Sequence, residues 1–260
     1  MPDRNFVNSL QRGLAVLEAF TKERPKPSLN QLTRATNLPK TTVLRLLRTL
    51  ALLGYVHYDS TSSEYSLGPK VMSLGYATLS GLDLREVARP YLDDLSRQSG
   101  QSVNLAVLDG IEAIYIDRIT VRRLIAVDNT VGTRINTHST AIGRALLAFL
   151  GEDELKGAIG RLYNDPRNAG HLSLDREKFS RLLKKTKRNG YAVSNEEYTP
   201  GVRAIGAPIF NSTGRVEAAI NMPVFSRDVR MKELNERLAP MIIRTANQIS
   251  ACRGFDVRSF

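Results

Sequence analysis

The feature that most constrains the fold is a pair of helical patterns, separated by a proline break and followed by two short strand-like runs, within residues 28–67. Ser28 suits the N-cap of the first helix because its hydroxyl can accept a hydrogen bond from the first turn. Asn37 tolerates the left-handed backbone that ends a helix, and Pro39 fits the first turn of the next one. The sequence therefore predicts two helices joined by a tight turn.

The second of these helices has two chemically different faces. Its apolar positions recur at helical spacing and predict a buried stripe: Val43, Leu46, Leu47, Leu50 and Leu53. The opposite face carries cationic and hydroxyl side chains: Lys40, Thr41, Thr42, Arg45, Arg48 and Thr49. Arginine can hydrogen-bond guanine edges in the major groove, and threonine can contact a thymine methyl group or a phosphate. These six residues are the candidate DNA-binding residues.

A short hairpin pattern follows the helix pair. Residues 55–58 and 64–67 predict strands, and the polar residues 59–63 between them predict a turn. An amphipathic helix with two arginines is, taken alone, more often an exposed and solvated surface. The tight helix pair with a hairpin behind it favours a winged helix-turn-helix that binds DNA.

The charge of the chain agrees with a polyanionic partner. The 260 residues carry a formal net charge of +11, and the sequence pI is about 9.9. Residues 1–80 contain 10 Lys or Arg and 5 Asp or Glu, so the basic excess is densest in the part that holds the helix pair. This distribution favours double-stranded DNA as a partner.

Cysteine content and hydropathy limit the other classes of protein. The chain has 1 cysteine, Cys252, so an intramolecular disulfide and a cysteine metal cluster are excluded. No apolar run approaches the ~18 residues of a membrane span, and residues 1–30 lack the apolar core of a signal peptide. We expect a cytoplasmic protein without membrane contact.

The remaining chain predicts an α+β domain around an antiparallel sheet. Before it, residues 8–20 predict a helix with Leu10, Leu14, Leu17 and Ala19 on or near one face. The predicted divisions are a winged helix-turn-helix at 1–68, a linker helix at 69–82 and a second domain at 83–260. The second domain's predicted helices are 84–98, 139–150, 175–189 and 228–253, and its predicted strands are 103–108, 112–119, 124–127, 202–210 and 215–222.

The second domain shows no convincing catalytic or metal site. Glu196 and Glu197 are adjacent and would face opposite ways on a strand, so an exposed charge or a structural ion pair is the plainer interpretation. His138 lacks spaced metal-ligand companions, which favours a capping or cavity-wall histidine. His57 and His171 are expected at the surface. We therefore expect no catalytic residue, no metal and no cofactor.

Residues 136–143 form a candidate binding loop that enters an apolar helix. The first N–H groups of a helix lack intrahelical partners, and no Glu stands in position to complete a capping box. A small carboxylate could bind there through the helix dipole and the hydroxyls of Ser139 and Thr140. Ordinary capping of the helix by Ser139 accounts for the same residues equally well.

Residues 190–211, from Gly190 to Asn211, resemble the signature of the IclR family of bacterial transcription regulators, with its glycine, serine, glutamate, aliphatic and aromatic positions in register. Residues 9–17 and 132–148 resemble the same family. The resemblance implies a winged helix-turn-helix joined by a linker helix to a GAF-like effector domain. It also implies a homodimer or dimer of dimers, and a small organic or aromatic acid as effector.

The resemblance extends to the effector site. It places the effector beside the loop Thr140, Ala141 and Ile142, to which the capping argument adds Ser139. In the family, four further positions line the effector site, and they correspond in this chain to Ser194, Val202, Ala204 and Asn221. Some members have an acidic residue at 194, cysteine at 204 and serines at 221 and 223, so the identity of the effector does not carry over.

The sequence is therefore interpreted as a DNA-binding transcription regulator that responds to a small acid and has no enzymatic activity. One alternative is an enzyme for a small metabolite that the first domain tethers to DNA, with Glu197 or His138 as the catalytic residue. A second alternative is a nonspecific architectural DNA binder, which would leave the second domain without a task.

Overall fold

The computed structural model describes residues 6–80, 83–121, 130–168, 172 and 174–256, without the side chains of 76–80 and 167. The chain divides into two compact units, residues 1–81 and 82–260. The strand predicted at 124–127 and His171 lie outside the described residues.

The first unit has the predicted order of a helix-turn-helix followed by an antiparallel hairpin, which confirms that part of the fold. Its elements are α1 (Asn8–Glu18), α2 (Leu29–Thr36), α3 (Lys40–Leu52), β1 (Val56–Asp59), β2 (Glu64–Leu67) and α4 (Lys70–Ser80).

The turn between α2 and α3 follows the local chemistry of the sequence. Ser28 caps α2 in a complete capping box, because Gln31 N donates to Ser28 Oγ while Ser28 N donates to Gln31 Oε1 at 2.8 Å. Asn37 adopts a φ of 52° in the left-handed region. Pro39 occupies the N-cap of α3, one residue earlier than a first-turn position.

The core of the first unit corrects two apolar predictions. Leu53 is 52% exposed, because α3 ends at Leu52 and the stripe turns away from the core there. On α1, Leu17 and Ala19 pack partly buried against the core as predicted, but Leu10 and Leu14 are exposed and Val16 is buried, so the packed face is rotated from the predicted one. The buried core consists of Val16, Leu32, Val43, Leu47, Val56 and Tyr65.

The second unit is built on a six-stranded sheet of order β5-β4-β3-β8-β7-β6, in which all neighbours pair antiparallel. This confirms the α+β class. Its strands are β3 (Val103–Asp109), β4 (Glu112–Ile119), β5 (Arg134–Asn136), β6 (Ala192–Asn195), β7 (Val202–Phe210) and β8 (Val216–Phe225). Its helices are α5 (Asp83–Ser99), α6 (Ala141–Ala148), α7 (Glu152–Asn164), α8 (Arg176–Asn189), α9 (Met231–Glu233) and α10 (Ala239–Cys252).

Several elements of the second unit differ from the predictions. Strands β5 and β6 and helix α7 had no predicted counterpart, although the three acidic residues in the first turn of α7 suit a helix N-terminus. The predicted helix 228–253 is interrupted by a π-helical turn at Leu234–Leu238. A 3₁₀ turn at Pro166–Asn168 follows α7.

Helices cover both faces of the sheet. Strands β7 and β8 contain long runs of consecutive buried residues, a pattern that requires packing on either side. Helix α6 contacts β6, β7 and β8, whereas α10 contacts β7, β8 and α5. The start of α6 approaches β7 so closely that a Cβ on Gly206 would lie 2.9 Å from the carbonyl oxygen of Ala141. This close approach fixes the position of the loop that precedes α6.

Candidate functional site

The outer face of α3 carries the candidate DNA-binding residues. Thr42 is half-buried, and the other five are exposed, opposite the buried Val43 and Leu47: Lys40, Thr41, Arg45, Arg48 and Thr49. The Thr49 hydroxyl donates to the carbonyl oxygen of Arg45 at 3.0 Å, so its hydroxyl hydrogen is used within the helix.

The hairpin beside α3 is held at both ends. At its tip the Asp59 carboxylate accepts a hydrogen bond from Thr61 N at 2.8 Å, and this bond lowers the pKa of Asp59. At its base Lys70 Nζ donates to the carbonyl oxygen of Leu53 at 3.0 Å and lies 4.8 Å from the centre of the Tyr55 ring. The start of α4, which follows the hairpin, is thus fastened to the residues between α3 and the wing.

The loop before α6 shows that the prediction of Ser139 as N-cap is wrong. Thr140 is the cap, since its Oγ1 accepts a hydrogen bond from Gly143 N at 3.2 Å, and the helix begins at Ala141. The Ser139 hydroxyl donates to Asn136 Oδ1 at 2.7 Å. Ser139 therefore shapes the loop one residue ahead of the cap.

A small cavity lies where the start of α6 faces the sheet and the residues that follow β6. Its volume is about 40 Å³, room for roughly three water molecules at ~10–15 Å³ each. Six of the eight predicted effector-site residues line it: Thr140, Ala141, Ser194, Val202, Ala204 and Asn221. Pro223, a position at which family members differ, also lines it, and five lining residues were missed by the sequence analysis: Asn104, Tyr115, Arg118, Tyr198 and Thr199.

The other two predicted residues lie behind the cavity wall. The carbonyl oxygen of Ser139 accepts a hydrogen bond from Ser194 Oγ at 2.6 Å. Ile142 is fully buried in the hydrophobic core. The Ser194 hydroxyl thus holds the loop to β6, and Ile142 contributes packing at this position.

A polar row crosses three strands on the cavity side of the sheet. Arg118 of β4 pairs in register with Asn104 of β3, which pairs with Asn221 of β8. Asn104 is 3% exposed, and its Nδ2 donates to Asn221 Oδ1 at 2.9 Å. Among the residues that the structure describes, Asn104 Oδ1 and Arg118 Nε are buried without a hydrogen-bond partner. Asparagine within otherwise apolar strands was the signal that could have identified this row.

A buried arginine connects α6 to the residues that follow β6. Arg144 is 1% exposed, and its Nε donates to the carbonyl oxygen of His138 at 2.8 Å. Its Nη1 donates to the carbonyl oxygen of Val193 at 2.9 Å and to Glu197 Oε1 at 2.8 Å, and its Nη2 donates to Glu197 Oε2. Burial acts to raise the pKa of Glu197, but the hydrogen bonds and charge of Arg144 lower it below the ordinary value.

The two adjacent glutamates point to different partners. Glu196 has a φ of 61°, and its Oε2 accepts a hydrogen bond from Gly201 N at 3.0 Å. Glu197 forms the structural ion pair that was its plainer interpretation. Together they anchor residues 196–201, which place Tyr198 and Thr199 at the cavity.

Comparison with known proteins identifies both units. The model of the IclR helix-turn-helix domain matches residues 9–60, and that of the bacterial transcriptional regulator IclR C-terminal region matches residues 76–251. The chain belongs to the IclR family of bacterial transcriptional regulators. It is 36% identical to the Pca regulon regulatory protein of Pseudomonas putida over 248 residues, covering 95% of this chain and 84% of that protein.

Solved structures of IclR regulators share the fold. An IclR family transcriptional regulator from Brucella abortus has a TM-score of 0.81 at 29% identity, covering 96% of this chain and 94% of that one. An IclR homolog from Microbacterium hydrocarbonoxydans, solved in complex with 4-hydroxybenzoate, has a TM-score of 0.77 at 24% identity and covers 97% of this chain and 100% of that one. The chain is therefore a DNA-binding transcriptional regulator with a winged helix-turn-helix and a separate C-terminal domain.

The two histidines that the structure describes in this IclR regulator differ in their exposure. His138 is buried and carries a backbone carbonyl that holds Arg144, and His57 is exposed. Within the described ranges no helix has the length and apolar character needed to cross a membrane. No cluster of metal-ligating side chains was found among those same residues.

Proposed function

We propose that this regulator binds a specific operator through α3 and that a small organic acid, bound in the cavity of the second unit, changes its affinity for that operator. The observation that carries the proposal is the cavity itself. It unites six residues that the family resemblance had assigned to an effector, and its wall contains buried polar atoms without partners among the described residues. Such a wall suits a polar ligand better than an empty core.

The DNA contacts assigned to α3 rest on exposure and charge. Lys40 stands at the start of the helix, where it suits a phosphate, and Arg45 and Arg48 project from the middle of the outer face. Thr41, Thr42 and Thr49 complete the surface. Two copies of α3 in a dimer would enter major grooves about 34–36 Å apart or at a multiple of that distance.

A homodimer, or a dimer of dimers, is proposed from exposed apolar side chains in the first unit. Leu10 and Leu14 of α1 are 62% and 50% exposed, and Met72 and Leu74 of α4 are 77% and 56% exposed. Large apolar side chains exposed on two helices suit an interface with a second copy. We assign residues 1–68 to DNA binding, 69–82 to the linker helix and 83–260 to effector binding and oligomerisation.

The effector is proposed to act by binding one arrangement of the protein more tightly than another. The complex of the Microbacterium hydrocarbonoxydans homolog with 4-hydroxybenzoate supports a small acid as its chemical class. We further propose that the protein acts in the cytoplasm and needs no cofactor and no catalytic step, in keeping with the named relatives, which are regulatory proteins.

The test is to select an operator from random duplexes and to measure binding of the full-length protein to that operator and to random DNA. We expect tighter binding to the operator, a fall in affinity of roughly 10³ or more between about 50 and 200 mM salt if six or more phosphates are contacted, and a change in operator affinity with at least one small acid. Equal affinity for both DNAs would indicate a nonspecific architectural protein, and chemical conversion of the acid would indicate a tethered enzyme.

A further inference from the structure

We infer that Arg118 and Asn104 hold the two polar ends of the ligand, so that the cavity selects a small carboxylate that also carries a hydroxyl group. The inference rests on the proposed function, since it assumes that the cavity binds the effector. It adds the chemical groups that recognition requires and the two residues that provide them.

Asn104 supplies an acceptor that needs a donor. Asn104 is 3% exposed, and one hydrogen of its Nδ2 is donated to Asn221 Oδ1. Its Oδ1 is buried at the cavity wall without a partner among the described residues. Burying an unpaired carbonyl oxygen is unfavourable, and a carboxylate cannot relieve it because an ionised carboxylate only accepts hydrogen bonds. A ligand hydroxyl can donate to it.

Arg118 supplies the complementary cation. Arg118 also lines the cavity, and its Nε is buried without a partner among the described residues. The neighbouring Asp117 does not neutralise it, because consecutive residues of a strand face opposite sides of the sheet. Asp117 pairs with two arginines of α5 instead, Arg89 at 2.7 Å and Arg85 at 3.6 Å. A guanidinium N–H in this position is suited to a ligand carboxylate.

The start of α6 is less suited to the carboxylate than the sequence suggested. Thr140 already accepts the hydrogen bond from Gly143 N. Gly206 of β7 covers the first turn so closely that a Cβ there would lie 3.1 Å from Ile142 N. The N–H of Gly143 is therefore used, and that of Ile142 is covered. For this reason the anion is assigned to the strand side of the cavity, at Arg118.

The register places the two groups side by side. Arg118 and Asn104 are direct partners on adjacent antiparallel strands, whose side chains on one face lie about 5 Å apart at Cβ. One small molecule can therefore reach both. The cavity volume of about 40 Å³ favours a compact ligand.

The experiment measures binding to the full-length protein by calorimetry with two matched sets of probes. The first is lactate, propionate and lactamide, and the second is 4-hydroxybenzoate, benzoate and 4-hydroxybenzamide. In each set the second compound lacks the hydroxyl and the third lacks the charge. We expect the wild type to bind the hydroxy acid of at least one set roughly tenfold more tightly than either partner, which is about the size of one hydrogen bond.

Variants assign each preference to its residue. Arg118→Gln should remove the preference for the acid over the amide, and Arg118→Lys should restore much of it. Asn104→Ala should remove the preference for the hydroxy acid over the acid without a hydroxyl. Arg97→Gln, an exposed arginine of the same unit with a side chain 76% exposed, is the matched control and should bind as the wild type does.

The outcomes separate the two proposals. Wild-type binding in which the amide equals the acid, or an Arg118→Gln variant with unchanged preference, contradicts the assignment of Arg118 while the effector function stands. An unchanged hydroxyl preference in Asn104→Ala contradicts the assignment of Asn104. Binding of none of the four acids to the wild type contradicts the proposed effector function together with the inference.

Discussion

Arg144 and Glu197, 53 positions apart in the chain, form an ion pair that joins helix α6 to the residues following strand β6. The Arg144 side chain is 2% exposed and that of Glu197 is 30% exposed. The guanidinium also binds the carbonyl oxygens of His138 and Val193. The pair therefore fixes two walls of the cavity relative to each other, the loop before α6 and residues 196–201.

Loss of the Glu197 carboxylate should destabilise the second unit. Glu197→Leu would leave the buried charge of Arg144 without its counterion, which costs about 3–5 kcal/mol. We expect a fall of that size in the free energy of unfolding measured with urea. Asp94→Ala is the matched control, because the exposed pair Asp94–Arg97 contributes about 0–1 kcal/mol. Equal effects of the two substitutions would show that the buried pair contributes no more to stability than the exposed pair does.

The ionisation of the Glu197 carboxylate predicts that the stability of the protein depends on pH. The pKa of Glu197 is lowered from 4.5 because the hydrogen bonds and charge of Arg144 outweigh the effect of burial. A carboxyl pKa that is lower in the folded state stabilises the protein above the unfolded-state pKa, and this stabilisation disappears as the pH falls through the folded-state pKa. The melting temperature of the wild type should therefore fall more steeply than that of Glu197→Gln below about pH 4.5. Parallel profiles would contradict the assignment.

Local sequence chemistry was sufficient for the order of the elements in the first unit and for most strands. The capping residue Ser28, the left-handed Asn37 and the hairpin turn are decided by near neighbours in the chain, and they were predicted correctly. The buried face of α1 was not predicted correctly. Val16 and Leu14 are both apolar, and only packing against the other helices decides which of them is buried.

The candidate site depended on contacts that local patterns do not reveal. The pairing of Arg118 with Asn104 follows from the register of β3 on β4, which includes a bulge between Leu105 and Ala106. The Arg144–Glu197 pair depends on how α6 packs against β6. Family resemblance supplied Val202 and Ala204, whereas these longer-range polar contacts became visible only in the folded chain.

The outer face of α3 predicts a division between base recognition and phosphate contact. Arg45→Ala should weaken operator binding by about 1–3 kcal/mol and relax base preference at one position, if Arg45 contacts a guanine edge. Lys40→Ala should weaken binding to the operator and to random DNA by a similar factor. Both effects are measured by anisotropy titration with operator, single-base variants and random duplexes.

Arg34 of α2, which is also exposed, provides a control at a position outside the proposed recognition surface. Arg34→Ala should leave base preference unchanged. If Arg45→Ala likewise kept the full base preference of the wild type, Arg45 would have no part in reading the operator sequence.

The most direct test of the account is the operator affinity of Ala204→Phe, measured with and without the acid to which the wild type responds. Ala204 lines the cavity on β7, so a phenyl ring there would fill space needed by the ligand. Ala251→Phe, at an exposed position of α10, is the matched control and should respond like the wild type. We predict that Ala204→Phe binds the operator with wild-type affinity in the absence of acid and no longer changes affinity when the acid is added. An unchanged response with the wild-type midpoint would show that this cavity does not control DNA binding.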